Sequence, residues 1–250
     1  MLQFLRRVRQ NVVGEGKFRK YLLYAVGEIA LVMIGILLAL QVNTWNANRQ
    51  NDRERDRIYR ALETEFRAAK EMHASNVDQS IATQRAIIQI LNHTGTSPEA
   101  FGIHEFDSLL NRSLATLSYN PSFIVYQEVI ESDKIEQIDN PDIRSLLFQY
   151  KTVSGGYYKL EDALITIFSS EFIPYLNRRI AFKNIDQFNQ APFPASTIVQ
   201  DNRAVLMELE FENLLDNHLF LYSELVRSFE ELGAIVDALI VELENVNEDR

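Results

Sequence analysis

The chain has no cysteine, so neither a disulfide framework nor a thiolate metal site is open to it. Its four histidines, His73, His93, His104 and His218, include no HExxH pair and no ExxH pattern, the spacings that set zinc or di-iron ligands on one helix face. No metal site is expected. His93 and His104 flank one loop and are placed to share an ion, but histidines in such loops are more often plain surface residues. A Walker loop, a GxSxG elbow and a dinucleotide glycine fingerprint are also missing. Lys17 follows Gly14-Glu15-Gly16, yet the glycine a phosphate loop needs five residues before Gly16 is Asn11. Glu208, Glu210 and Glu212, at i, i+2 spacing, scatter around a helix and read as solvation. The chain is expected to hold no cofactor and not to be an enzyme.

Basic residues are scarce after the opening segment. Residues 1–50 hold +5 of charge and residues 51–250 hold −15, giving the net −10. An acidic domain of this kind is a poor match for a phosphate backbone, so no nucleic-acid partner is expected. Glycine and proline are sparse too, nine and six, and neither occurs between Gly35 and Gly95. One helix can run through that interval unbroken. Strand-like alternation of useful length is absent, which gives an all-α fold class: one N-terminal transmembrane helix continuing into an elongated helical bundle.

What is present is a long apolar run. Tyr21 to Val42 reads YLLYAVGEIALVMIGILLALQV, with Glu28 its one charged residue. As a helix it is roughly 33 Å long, enough for a hydrocarbon core about 30 Å thick. A cleaved signal peptide is the competing reading, but this run exceeds the usual apolar region and leaves through Gln41, Asn43 and Trp45 without a small-x-small cleavage site. Tyr21, Tyr24 and Trp45 stand where interfacial anchors belong. Arg6, Arg7, Arg9, Lys17, Arg19 and Lys20 precede the run and mark a basic cytoplasmic head, residues 1–20. Arg49, Arg53, Arg55, Arg57 and Arg60 follow it, interleaved with Asp52, Glu54 and Asp56, but a long domain translocates largely regardless of such charges. The expected layout is therefore a cytoplasmic N-terminus, a span over residues 21–45, a periplasmic helical bundle over 46–244 and a frayed tail over 245–250, in a bacterial inner membrane.

The first 13 residues place Leu2, Leu5 and Val8 or Val12 on one face of a short amphipathic pattern suited to an anionic leaflet; a plain topology signal explains them equally well. Glu28 is the costly residue, because a carboxylate in the span is disfavoured by about 2.5–3.5 kcal/mol at the bilayer centre and less near an interface. It is expected to be protonated, to snorkel, or to face another protein group. Gly27 and Gly35 lie two turns apart, and Gly35 with Ala39 makes small-xxx-small spacing that admits a second helix. Helix–helix contact through Gly27, Glu28, Gly35 and Ala39 is the favoured reading over a snorkelled residue without function or an ion path.

Beyond the span, Ile58, Leu62, Phe66, Ala69, Met72, Val77, Ile81, Ile88 and Leu91 recur with helical period and predict a buried stripe. A shorter helix is expected over His104 to Leu117. Asn120-Pro121 and Asn140-Pro141 each put a capping side chain before a proline, predicting two helix starts, and Gly155-Gly156 predicts a bend or break. Pro174 interrupts the next stretch, Asn184 to Gln200 reads as a loop, and Asp201 or Asn202 is expected to cap a last long helix. Tyr119, Phe123, Tyr126, Phe148, Tyr150, Tyr157 and Tyr158 crowd one region. Packing is the commoner use of such a cluster; the other is a ligand or partner contact built from Tyr126, Gln127 and Tyr150.

The opening FLRRVRQNVVGEGKFRKY and the run YLLYAVGEIALVMIGILLALQVNTWNANR resemble an uncharacterised family of bacterial single-pass membrane proteins, domain-of-unknown-function 6090. The similarity rests on Gly27, Glu28, Ile29, the stretch 34–41, Asn43, Trp45 and Asn46, and more loosely on the stretch from Tyr126 to Tyr150. Val42 and Thr44 are the departures. The resemblance implies a retained anchor with an envelope-facing domain, and no activity. Taken together, these residues predict a membrane-anchored interaction or scaffold protein whose partners are the lipid bilayer and either copies of itself or another envelope protein. The alternative is a small-molecule-sensing domain with its pocket between helices.

Overall fold

The computed structural model describes residues 17–248, with side chains from Leu22 onward. All regular structure among these residues is helical: α1 (Lys17–Leu91), α2 (Ile103–Ser113), α3 (Val125–Glu131), α4 (Pro141–Ile167), α5 (Ile173–Asn177), α6 (Phe182–Ile185) and α7 (Leu209–Glu248), joined by short 3-10 turns. The chain divides into two compact units, Met1–Asp56 and Arg57–Arg250.

In the first unit the described chain is the opening part of α1. Leucine and alanine favour helix there and no proline interrupts it. Every large apolar side chain from Leu22 to Trp45 is exposed, so this stretch has no packing partner of its own. At its polar end Arg49 stacks over Trp45, 5.6 Å from the ring centroid, and Arg55 bonds Asp52 at 2.9 Å.

The second unit is a bundle in which the rest of α1 lies antiparallel to α7. Contacts of Glu63 with Asn247, Arg67 with Glu244, Lys70 with Asp237, His73 with Phe229 and Gln84 with Ser223 ascend one helix while descending the other. α4 packs along α7. Leu62 and Phe66 of α1, Leu147 and Tyr150 of α4, and Leu225, Phe229 and Leu239 of α7 are all buried between them. Each such side chain contributes about 1.5–3 kcal/mol on leaving water.

The expected stripe on α1 holds from Ile58 to Ala69 and then slips, with Val77 and Leu91 still half-buried against the core. Met72 and Ile88 are exposed, while His73, Ser80, Thr83 and Ile87 turn inward. The polar members are accommodated because His73 Nε2 bonds the Phe229 carbonyl at 2.8 Å and the Ser80 hydroxyl donates to its own helix at Val77. His73 reaches that position only because Gly233 faces it: a Cβ there would lie 2.4 Å from the imidazole.

The two Asn-Pro pairs behave differently. Asn140 caps α4 as expected, accepting from the N–H groups of Asp142 and Ile143 with Pro141 in the first turn. Asn120-Pro121 starts no helix. α3 begins at Val125 instead, where the Glu65 carboxylate of α1 accepts from the backbone of Ile124 and Val125 at 2.8 Å and of Tyr126 at 2.9 Å. A distant anion thus satisfies donors that a local side chain was expected to hold.

Other boundaries move for similar reasons. α2 spans Ile103–Ser113, ending short of Leu117. Gly155 and Gly156 stay inside α4, held there by buried Tyr150, Ser154 and Tyr157 on the core face. Pro174 does not simply break the chain: a π-helical turn, Phe168–Phe172, widens the helix ahead of it before α5 resumes, removing the clash a proline ring makes with the carbonyl four residues back. Part of the expected loop 184–200 is helical, ending α6 and continuing through Asp186–Asn189 to Gln190 at φ 57°. Neither Asp201 nor Asn202 caps α7, which starts at Leu209 after the turn Arg203–Met207. Asp201 holds Arg203, and Asn202 is buried, bonding Asp107 of α2 at 2.8 Å and the Ala181 backbone at 2.8 Å. The tail expected to fray is helical to Glu248, tied by Asn247 to Glu63 at 2.6 Å; residues 249–250 lie outside the described chain.

Candidate functional site

The two groups of residues singled out by the sequence lie in different units. In Met1–Asp56, Gly27, Glu28, Gly35 and Ala39 are all on the exposed apolar stretch of α1. A Cβ added at Gly27 or Gly35 would meet nothing within 4 Å, so both stand open to a close neighbour. Regular helical geometry puts Glu28, Gly35 and Ala39 within roughly 40° of one another, and Gly27 roughly 80° away from Gly35. The stripe is thus carried by Glu28, Gly35 and Ala39, with Gly27 at its margin and not on its axis. Tyr24 and Trp45, 77% and 63% exposed, stand near its two ends. Their helical separation is roughly 32 Å. The backbone of Lys17, Arg19, Lys20 and Tyr21 is helical but their side chains, like the whole of Arg6, Arg7 and Arg9, lie outside the described residues.

In Arg57–Arg250 the structure brings Tyr126 and Tyr150 together and separates Gln127 from both. Tyr126, Tyr150, Phe66 and Phe123 form a four-ring cluster with centroids 5.0–5.7 Å apart, most of them edge to face. Gln127 points to solvent from the other side of α3. Burial pushes the phenols of Tyr126 and Tyr150 well above their ordinary range, so both stay protonated. The Tyr150 hydroxyl faces that of Tyr119. Rings packed on one another occupy this place, the commoner use of such a cluster.

The histidines serve packing. His93 stacks on Phe101 with centroids 4.1 Å apart, and His104 meets Phe188 edge-on, so the two do not converge. His218 is the deepest. It lies against Phe168, Phe172 and Tyr222 with Nε2 at 3.2 Å from the Ser113 carbonyl, and burial lowers its pKa to about 4. Among the described residues no group of three or more His, Asp or Glu could hold a metal ion. Pattern reading passes over Gly233, gives Asn202 a capping role it does not have and assigns none to His218, since each owes its place to a residue far away in sequence.

No family model, curated protein or solved structure matches this chain. A functional reading therefore rests on its own residues. The described chain contains one helix long and apolar enough to cross a membrane, near the N-terminus, none of whose most apolar window is buried.

Proposed function

We propose that this chain is a single-pass membrane protein that works by association: its span pairs with a second helix and holds an acidic helical domain in the envelope. The observation that carries the reading is the one carboxylate of an otherwise apolar, fully exposed helix, sitting on the same face as Gly35 and Ala39. Small residues let a second backbone approach, and a polar side chain beside them then gains a partner, an interaction of about 0.6–2 kcal/mol in lipid. The partner is a second copy, in which two Glu28 side chains meet across a twofold axis, or another envelope protein presenting a donor at that depth. Lys and Arg in residues 1–20 put the N-terminus in the cytoplasm and the domain in the periplasm of a bacterial inner membrane. The resemblance of residues 1–50 to the family named above accords with this layout.

Oligomer state decides it. Glu28→Leu and Gly35→Leu, compared with the parent by native gel in mild detergent and by crosslinking in intact membranes, are expected to lose the larger species. Unchanged migration and crosslinking for both variants overturn the reading. C-terminal fusions to a reporter active only outside the cytoplasm are expected to be active; inactive fusions reverse the orientation.

A further inference from the structure

Among the clefts in the surface of Arg57–Arg250, one is lined by charges of both signs that do not pair. A cleft of about 730 Å³ opens between α1, α2, the π-helical turn and the segment from α6 to Asn189. Its walls are braced from behind. Buried Asn202 joins Asp107 of α2 to the Ala181 backbone just before α6, and Asn111 and Asn189 exchange amide hydrogen bonds at 3.2 and 2.9 Å across the rim. Such bracing holds the walls apart at a fixed width, which lowers the ordering cost of taking up a small molecule.

The lining is amphipathic in a particular way. Phe168, Ile173, Phe182 and Phe188 form an apolar side, while Arg112 and Asp186 bring one charge of each sign. Neither charge is in an ion pair, with the other or with any described residue, although Arg67, Arg179, Arg203 and Arg227 all have a carboxylate partner. Thr83, wholly buried beneath the cleft, turns its hydroxyl to the phenol of Tyr222 on α7. The π-helical turn that accommodates Pro174 also delivers Phe168 to the cleft.

We propose that this cleft binds a small zwitterion with an apolar side group, of the α-amino acid class. Its carboxylate sits on the Arg112 guanidinium, its ammonium on the Asp186 carboxylate and its side group on Phe168 and Phe182. The inference is independent of association through the span, so Glu28→Leu leaves it untouched.

Titration calorimetry on the full chain in mild detergent tests it, with L-leucine and L-phenylalanine as probes. Saturable binding is expected, with a Kd on the order of 10–100 µM. N-acetyl-L-leucine and L-leucinamide, each lacking one charge, are expected to bind about tenfold more weakly or worse, as is L-leucine to Arg112→Gln and to Asp186→Asn. Because Arg112 is exposed and Asp186 bonds nothing through its carboxylate, both variants are expected to melt with the parent, which separates lost binding from lost folding. No saturable heat with either probe up to about 10 mM overturns the proposal. So does saturable binding that neither variant weakens, since the ligand is then held elsewhere.

Discussion

Replacing Glu65 with alanine is expected to destabilise the domain far more than a half-exposed surface glutamate ordinarily would. Its two carboxylate oxygens accept three backbone N–H groups at the start of α3, at 2.8, 2.8 and 2.9 Å. A single side-chain cap contributes about 0.5–2 kcal/mol, and hydrogen bonds to a charged acceptor lie at the upper end of such ranges. With three donors stranded but water able to reach Ile124, the loss comes to about 2–3 kcal/mol. For a domain of this size each kcal/mol lowers Tm by about 2–4 °C, so Glu65→Ala is expected to melt about 4–12 °C below the parent. Glu65→Gln keeps an oxygen for part of the set and falls between them. The assay is thermal unfolding of the full chain in mild detergent, followed by far-ultraviolet circular dichroism, with exposed Glu71→Ala as the control. If Glu65→Ala melts within about 1 °C of Glu71→Ala, the remote cap does not hold α3 and the account of why Asn120-Pro121 starts no helix fails.

Gly233→Ala sets a Cβ 2.4 Å from the His73 ring, which must swing away from the Phe229 carbonyl; a loss of about 1–3 kcal/mol is expected, largely relieved in a His73→Ala background, and equal losses in both backgrounds refute the contact. His218 has a folded pKa near 4 against an unfolded value near 6.5. The unfolded chain binds the extra proton between those values, so the stability due to neutral His218 is complete above pH 6.5 and lost as pH falls toward 4, amounting to about 3 kcal/mol. Buried Asp107 and half-buried Glu161, both with pKa raised by desolvation, act in the opposite sense, so the quantity to measure is the difference between the parent and His218→Gln across that range. A parent and variant whose melting curves respond identically to acid would show that His218 is not held neutral by burial.

How far the fold is legible depends on where each signal resides. The helical class, the apolar run and the Asn140 cap are local: hydrophobic period, absence of glycine and proline over 36–94, and a proline in the first turn are all visible within a few residues. The stripe along α1 is legible while it is apolar and fails where it turns polar. Pattern reading follows Met72 because it is hydrophobic, whereas the chain turns His73 inward because Gly233 of α7 makes room and a carbonyl makes a bond. The same holds for α3, whose start depends on a carboxylate about 60 residues back. Tyr126 and Tyr150 were rightly paired by their crowding, but nothing in the spacing told a filled ring cluster from a pocket; that distinction is a matter of volume, which only packing decides.

Polar ties of this kind recur throughout the domain. Tyr59 bonds Asp139 ahead of α4, Asn202 joins α2 to the approach of α6, and Gln84 meets Ser223 across the α1–α7 seam. Leucine against leucine tolerates a slip of one helical turn with little penalty, whereas a buried amide or hydroxyl set one turn off is left without a partner at about 1–3 kcal/mol. Two helices as long as α1 and α7 offer many apolar registers of nearly equal burial. The polar contacts are what distinguish them, and they are spread along the α1–α7 seam, from Glu63 with Asn247 through His73 with Phe229 to Gln84 with Ser223. At its far end the seam passes beneath the cleft, where buried Thr83 turns to the Tyr222 phenol of α7. The opening above it, braced by Asn202 and by the Asn111–Asn189 pair and lined by two unpaired charges, is the part of this domain least accounted for by folding.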